Sequence, residues 1–314
     1  MKAPKKILVY GGGRWAKQII QELSIISQDS IELHIISPKN YLHMKKWIIE
    51  KSFDQFAFSY KNKSICNENY FAAIIVNSAS DHFRDTKTTL EKGIPTLVEK
   101  PVTLSYKNTK TLKNLSEKNQ TLLCAANVFL FSKRIKTFSN YINSISNQYD
   151  IDITWTDPES ELRYGELKRQ DLSIPAHADY LPHILSILKL ITSNNLFHLD
   201  YCKLSKDMNM AKINLSISDT ICKIDLKRNA DSRKRKIKIK MDKNSILLDF
   251  HDDDYKVFKN ENLTKVLKSD ENDKPLRKML ETFINCIENN IVNEYLSIDF
   301  GVNTNKIIEE VTNF

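Results

Sequence analysis

Glycine is scarce in this chain, with only 6 in 314 residues. That excludes a collagen-like repeat and flexible glycine-rich linkers. Cysteine is sparse as well. The five (Cys66, Cys124, Cys202, Cys222 and Cys286) are scattered, odd in number and without a C-x-x-C pair. This excludes a disulfide-built scaffold and argues against a structural zinc site, so the thiols are expected to be reduced, as in a cytoplasmic protein. Long apolar runs are missing. Ala72–Val76 falls far short of the roughly 20 residues that span a bilayer, and Ile7–Tyr10 is too short for the apolar core of a signal peptide. No membrane partner is expected. Charge is only mildly one-sided, at +8 from 47 basic and 39 acidic residues. That suits an anionic small ligand without requiring nucleic acid. What remains is an ordinary globular composition, 41% hydrophobic and 27% charged. At roughly 150 residues per domain the length suggests two domains.

Half of the glycines are consecutive: Gly11, Gly12 and Gly13. A chain so poor in glycine concentrates it where backbone must approach something closely. The tripeptide follows Lys6–Tyr10, an apolar β-branched run that reads as a buried parallel strand. It precedes Arg14–Ile26, whose apolar residues recur with helical period. Further strands are expected at Ile31–Ile36, Phe71–Val76, Pro95–Glu99 and Thr121–Ala126. Helices are expected at Tyr41–Lys51, Asp81–Lys92 and Thr109–Lys118. Alternation of strand and helix predicts an α/β Rossmann domain with a doubly wound parallel sheet over 1–126.

The rhythm then changes. Asp150–Trp155 reads as a strand and Ala178–Ile191 as a helix. Six strand-like runs follow about ten residues apart: Leu199–Leu204, Lys212–Ile217, Thr220–Leu226, Lys236–Met241, Ser245–Phe250 and Tyr255–Phe258. Helices over Pro275–Asn289 and Phe300–Thr312 close the chain. Residues 127–314 are therefore expected to form an α+β domain for substrate binding and oligomerisation, built on an open, mainly antiparallel sheet.

Gly11 to Ala16 fits G-x-G-x-x-A between a strand and a helix. In that pattern Gly11 makes the tight turn, Gly13 lets a pyrophosphate reach the backbone, and Ala16 lets helix pack on strand. The helix start, with Arg14 and Trp15, offers free N–H groups and the positive dipole end to phosphate. An NAD site calls for an acid at the end of the second strand. Here that stretch is Ile36-Ser37-Pro38-Lys39-Asn40, and Ser37 and Lys39 suit a 2′-phosphate. Arg14 is placed to lie over the adenine or to reach that phosphate. The expectation is NADP(H) in preference to NAD(H).

With Val98-Glu99-Lys100-Pro101 and Asp179-x-x-x-His183 added to the glycine loop, the sequence resembles the Gfo/Idh/MocA oxidoreductases over nearly its whole length. Pro275-Leu276 before a helix with Phe283 and Ile287 also matches that family's closing segment. The resemblance implies an NAD(P)-dependent enzyme with Lys100 of the E-K-P motif at the cofactor–substrate junction, on a peptide bond to proline that is often cis. It implies Asp179 and His183 as the proton-transfer pair. Asn77 and Ser78 stand where the family usually has Thr-Pro, and with His82 and Glu99 they complete the expected cofactor contacts. The substrate half departs from the pattern. Leu172–His177 replaces a glycine run, Ser186 replaces an acid, and Asn127–Phe131 is unusually apolar. A simple polyol or free sugar fits poorly.

Hydride transfer to a carbonyl or imine requires a proton donor within hydrogen-bond reach. An imidazole titrates near neutrality, so His183 is the expected donor, oriented by Asp179 if both share a helix face. Pro182 is tolerated only in a first turn, which leaves Asp179 before the helix or capping it. His177, Asp179 and His183 could also be read as metal ligands, but no fourth donor accompanies them and none is expected to hold metal. Strand alternation puts Lys234, Lys236, Lys238 and Lys240 on one face. That is a solvated face or a patch for an anionic, carrier-linked partner. Family members commonly associate through this sheet, as a homodimer or homotetramer, and four lysines would repel there unless Asp252, Asp253 and Asp254 answer them. The expected function is reduction or oxidation of a small carbonyl, hydroxyl or imine compound in a biosynthetic pathway, such as a nucleotide-sugar or secondary-metabolite intermediate. The rival is a non-catalytic NADP-binding sensor of the same fold.

Overall fold

A computed structural model describes residues 3–27, 30–62, 69–146, 148–163, 165–170, 172–252, 254–268 and 273–314. Cys66 and Asp253 lie outside them. The chain forms two compact units, Met1–Phe131 with Leu276–Asn305, and Ser132–Pro275 with Lys306–Phe314.

The first unit alternates strand and helix: β1 (Lys5–Tyr10), α1 (Arg14–Ser27), β2 (Ile31–Ile36), α2 (Tyr41–Glu50), β3 (Ala57–Tyr60), β4 (Ala72–Ile75), α3 (Ala79–Glu91), β5 (Thr96–Glu99), α4 (Tyr106–Lys118) and β6 (Leu123–Ala126). The strands form one sheet in the order β3-β2-β1-β4-β5-β6, every pair parallel. Its central strands are covered on both faces, so β4 and β6 are buried at every position and read as unbroken apolar runs. The strand order reverses between β1 and β4, the crevice where open α/β sheets take ligands. β3 was not anticipated. It is a four-residue edge strand with only Ala57 buried, so it carries no apolar run.

In the second unit α5 (Lys133–Ile145) precedes β7 (Asp150–Thr156), the hairpin of β8 (Ser160–Arg163) and β9 (Glu166–Arg169), and α6 (Ala176–Thr192). Then come β10 (His198–Leu204), β11 (Met210–Ile217), β12 (Thr220–Lys227), β13 (Lys234–Met241), β14 (Asn244–Asp249), β15 (Tyr255–Lys259) and β16 (Asn262–Leu267). The eight-stranded sheet runs β10-β11-β12-β7-β13-β14-β15-β16. It is antiparallel except where β7 inserts parallel to β12, which places that first strand at the centre of the later meander. The strands alternate buried and exposed, and α6 covers β11 and β12.

Two expectations are corrected here. Pro182 lies well inside α6, and Asp179 is in its first turn with Pro175 at the N-cap. A proline inside a helix costs about 3 kcal/mol. α6 outweighs that by burying Leu181, Ile184, Leu185, Ile187, Leu188 and Ile191, each worth about 1.5–3 kcal/mol. The lysines of β13 are answered by Asp249, which meets Lys236 at 3.0 Å, and by Asp152, which pairs with Lys240. Asp252 instead holds Lys256 at 2.6 Å. The neighbouring strands β14 and β7 lie in register with β13, and proximity across the ladder decides the pairing.

Two helices close the chain, α7 (Pro275–Asn289) and α8 (Ile298–Asn313). The expected boundary at 126 put both in the second domain, yet Leu276–Asn305 packs with the first unit. Arg277 meets Glu22 at 2.7 Å and Lys5 pairs with Glu288. Ile298 joins the core of Ile75, Val98 and Ala125. At Gly301 a Cβ would stand 2.8 Å from Val102 Cγ2, so only glycine allows α8 that close. Asn305 Nδ2 donates to the Thr103 carbonyl at 2.7 Å.

Candidate active site

The glycine loop joins β1 to α1, and its three glycines have different reasons. Gly11 has φ +137° and a Cβ there would be 2.7 Å from the Val76 carbonyl oxygen. A Cβ on Gly12 would stand 2.0 Å from Ser37 Oγ. At Gly13 nothing lies within 4 Å of the Cβ direction. Gly11 and Gly12 thus serve the fold, while Gly13 leaves open space ahead of the first turn of α1, whose N–H groups have no intrahelical partner. That is a fitting cradle for a dinucleotide's phosphates. The tight approach of Ser37 also shows why its side chain is buried beneath the loop, whereas Lys39 is exposed on the turn after β2.

Around this loop the carboxyl edge of the sheet is densely bonded. Trp15 Nε1 donates to Glu99 Oε1 at 2.6 Å, and the Lys100 amide donates to Glu99 Oε2 at 3.0 Å. Burial pushes the Glu99 carboxyl up, against the Trp15 bond, the charge of Lys100 and the Lys100 amide. The Lys100–Pro101 peptide is cis. Asn77 Nδ2 donates to Asp85 at 2.6 Å, and Arg84 grips the same carboxylate at 2.8 and 3.0 Å. Asn77 Oδ1 is buried without a partner among the described residues. It is an acceptor on the ligand edge waiting for a donor. Burial and the charge of Asp85 push the Tyr10 phenol up to about 12, so it stays protonated beside the loop.

His82 corrects the expectation that it faces the cofactor. It is 1% exposed, with Nδ1 at 2.8 Å from the Pro101 carbonyl and Nε2 at 3.3 Å from that of Asn77. Burial holds the imidazole below its usual value. A neutral ring so placed ties the start of α3 to the turn after Lys100. Ser78 precedes α3 and is exposed.

In the second unit Asp179 and His183 are four residues apart in α6, on one helix face. Asp179 Oδ2 accepts from Arg228 Nη2 at 3.3 Å. Arg228 is 2% exposed, and its Nη1 donates to the Ile174 carbonyl at 2.5 Å. The His183 ring stacks on Trp155, centroids 6.2 Å apart at 28°. Arg235 lies 4.2 Å over the same indole and bonds Asp157 Oδ1 at 2.5 Å. Tyr180 is pushed up by burial and by the charges of Asp157 and Asp179. His177 points elsewhere, with Nε2 at 2.8 Å from Thr312 Oγ1, and burial and the charge of Arg228 bring it down to about 4. Among the described residues no cluster of three or more His, Cys, Asp or Glu could hold a metal ion, and no helix is long and apolar enough to cross a membrane.

Against known proteins, residues 5–127 match Gfo/Idh/MocA, described as an oxidoreductase family with an NAD-binding Rossmann fold. No curated protein sequence matches the chain. Among solved structures the chain is similar to the UDP-N-acetylglucosamine 3-dehydrogenase GnnA from Acidithiobacillus ferrooxidans, with 16% identity and TM-score 0.76 over 99% of this chain and 98% of that one. It is also similar to KijD10, a 3-ketoreductase from Actinomadura kijaniata in complex with TDP-benzene and NADP. There the identity is 11% and the TM-score 0.80, over 98% and 97% of the two chains. A dehydrogenase (MviM) from Clostridium difficile gives 16% and 0.75 over 98% and 99%. The match covers residues 5–127 and makes that stretch similar to an NAD-binding Rossmann domain, and the likeness over the whole chain is one of fold.

Arg228, Arg235 and Asp157 were not foreseen. A signal existed. Arg235 occupies the inward register of β13 with Ile237, Ile239 and Met241, and Arg228 continues that of Cys222, Ile224 and Leu226. A cation in a buried register demands a partner.

Proposed function

We propose that this chain is an NADPH-dependent oxidoreductase that interconverts a hydroxyl and a carbonyl on a nucleotide-linked sugar. The observation that carries the reading is Lys100 at the end of β5, on the same carboxyl edge as a glycine loop whose Gly13 faces open space. A bound nicotinamide would supply or accept the hydride. Gly13 and the first turn of α1 would hold its phosphates, and Lys39 would pair with the 2′-phosphate. Lys100 polarises the reacting oxygen. His183 delivers or removes the proton, kept in place by the Trp155 face, and Asp179 holds its carboxylate against Arg228 beside it. GnnA and KijD10, which act on or bind nucleotide-linked compounds, support the substrate class, and the replacement of the family's glycine run at 172–177 speaks against a simple polyol or free sugar.

The test is the change in reduced-nicotinamide absorbance with a panel of UDP- and TDP-linked hexoses and their keto forms. Turnover is expected with NADPH. Lys100→Met and His183→Ala should each lower kcat by about 10²–10⁴-fold while leaving NADPH affinity near normal. Lys39→Ala should erase the preference for NADPH over NADH. Full turnover in both active-site variants, or none with any of the panel in the wild type, overturns the reading.

A further inference from the structure

We propose that Trp15 and Glu99 form a positioning pair that ties the phosphate-binding loop to the turn carrying Lys100, so that a cofactor seated on one sets the other. The inference rests on the cofactor reading above for what fills the loop. Trp15 is the second residue of α1, immediately past the glycines, and Glu99 is the last residue of β5. β4 lies between β1 and β5 in the sheet, so the indole reaches across the end of an intervening strand.

The carboxylate is divided between the two loops. Oε1 accepts the indole N–H at 2.6 Å and Oε2 accepts the Lys100 amide at 3.0 Å. Glu99 is 8% exposed, so each bond forms where water competes weakly. Both oxygens act as acceptors in these bonds, and a buried acceptor deprived of its donor keeps its full desolvation cost. Displacing Trp15 therefore turns the carboxylate and frees the Lys100 amide. Packing alone would be served by any large ring at position 15. The N–H is what Glu99 uses. Glu99 thus acts through its neighbours and is a positioning residue.

The experiment uses the full chain and needs no substrate. Trp15→Phe keeps the ring and removes the donor. Glu99→Gln keeps one acceptor and turns the other oxygen into a donor. NADPH affinity is read by fluorescence titration, and backbone hydrogen exchange is followed over 96–103 with and without NADPH. In the wild type NADPH should slow exchange over that segment. In both variants the cofactor-free segment should exchange at least about fivefold faster, the slowing by NADPH should be lost, and Kd should rise about tenfold, which is about 1.4 kcal/mol. Exchange in β1 and β4 should be unchanged. Wild-type affinity and exchange in folded Trp15→Phe overturns the proposal. So does loosening spread evenly over β1, β4 and β5, which marks a general packing role. A wild type that binds neither NADPH nor NADH overturns the cofactor reading itself, while the cofactor-free exchange still shows whether the Trp15–Glu99–Lys100 link exists.

Discussion

At the scale of single residues, the three consecutive glycines separate fold from function. Gly12→Ala places a methyl 2.0 Å from Ser37 Oγ and 2.6 Å from its Cβ. Overpacking of this kind costs about 1–3 kcal/mol, so this variant should unfold at lower denaturant whether or not a ligand is present. Gly13→Val adds its branched carbon where the structure has nothing within 4 Å. It should unfold like the wild type yet lose binding of NADPH and NADH, because the branch fills the space of the phosphates. Denaturant curves and fluorescence titrations of the two variants check this. Equal binding loss with equal destabilisation would show that all three glycines serve the turn alone. The motif was legible because a scarce residue is concentrated there. The reason for Gly12 was not, since it depends on Ser37 at the end of another strand.

At the scale of elements, α6 shows what periodicity reads and what it omits. Its apolar content announced a helix, and Asp179 and His183 fall on one face by spacing alone. Its start at Ala176 and its tolerance of Pro182 follow from burial on nearly every side. Arg228, at the end of β12, bonds both Asp179 and the Ile174 carbonyl just ahead of the helix. Arg228→Met takes the guanidinium away from that carboxylate and carbonyl, and breaking one side of a buried pair costs about 3–5 kcal/mol. Asp179 keeps some contact with solvent, so the low end is expected. Arg228→Lys retains the charge but not the fork that spans two acceptors, and should lie between Met and wild type. Unfolding of the three proteins in urea gives the order. A Met variant as stable as wild type would remove Arg228 from the support of Asp179.

At the scale of the whole molecule, stability should depend on pH through His177. Thr312 Oγ1 donates to the Ile308 carbonyl at 2.8 Å, so its oxygen accepts from His177 Nε2–H, and Nδ1 is left deprotonated and buried without a partner among the described residues. Folding brings this imidazole from about 6.5 down to about 4. The unfolded chain binds the extra proton between those values, so the stability is fully present above pH 6.5 and is lost as pH falls toward 4. The loss approaches about 3 kcal/mol at roughly 1.4 kcal/mol per unit. His82 acts with the same sign. His177→Gln keeps a donor for Thr312 and cannot titrate, so its urea midpoint should fall less than the wild type's over that window. Parallel curves would show that His177 does not titrate with folding.

By itself the sequence determined the parallel first sheet, the meander, the glycine loop, and Glu99-Lys100-Pro101 at the end of a strand, because each is written in local period or adjacent residues. Only the tertiary structure decided that α7 and the start of α8 return to the first unit, that β7 enters the centre of the second sheet, and that Trp15 grips Glu99 and Arg228 grips Asp179. Those partners are 84 and 49 residues apart. No local pattern encodes such a pairing, which is fixed when burial denies a charge its water and leaves it the nearest group of opposite kind.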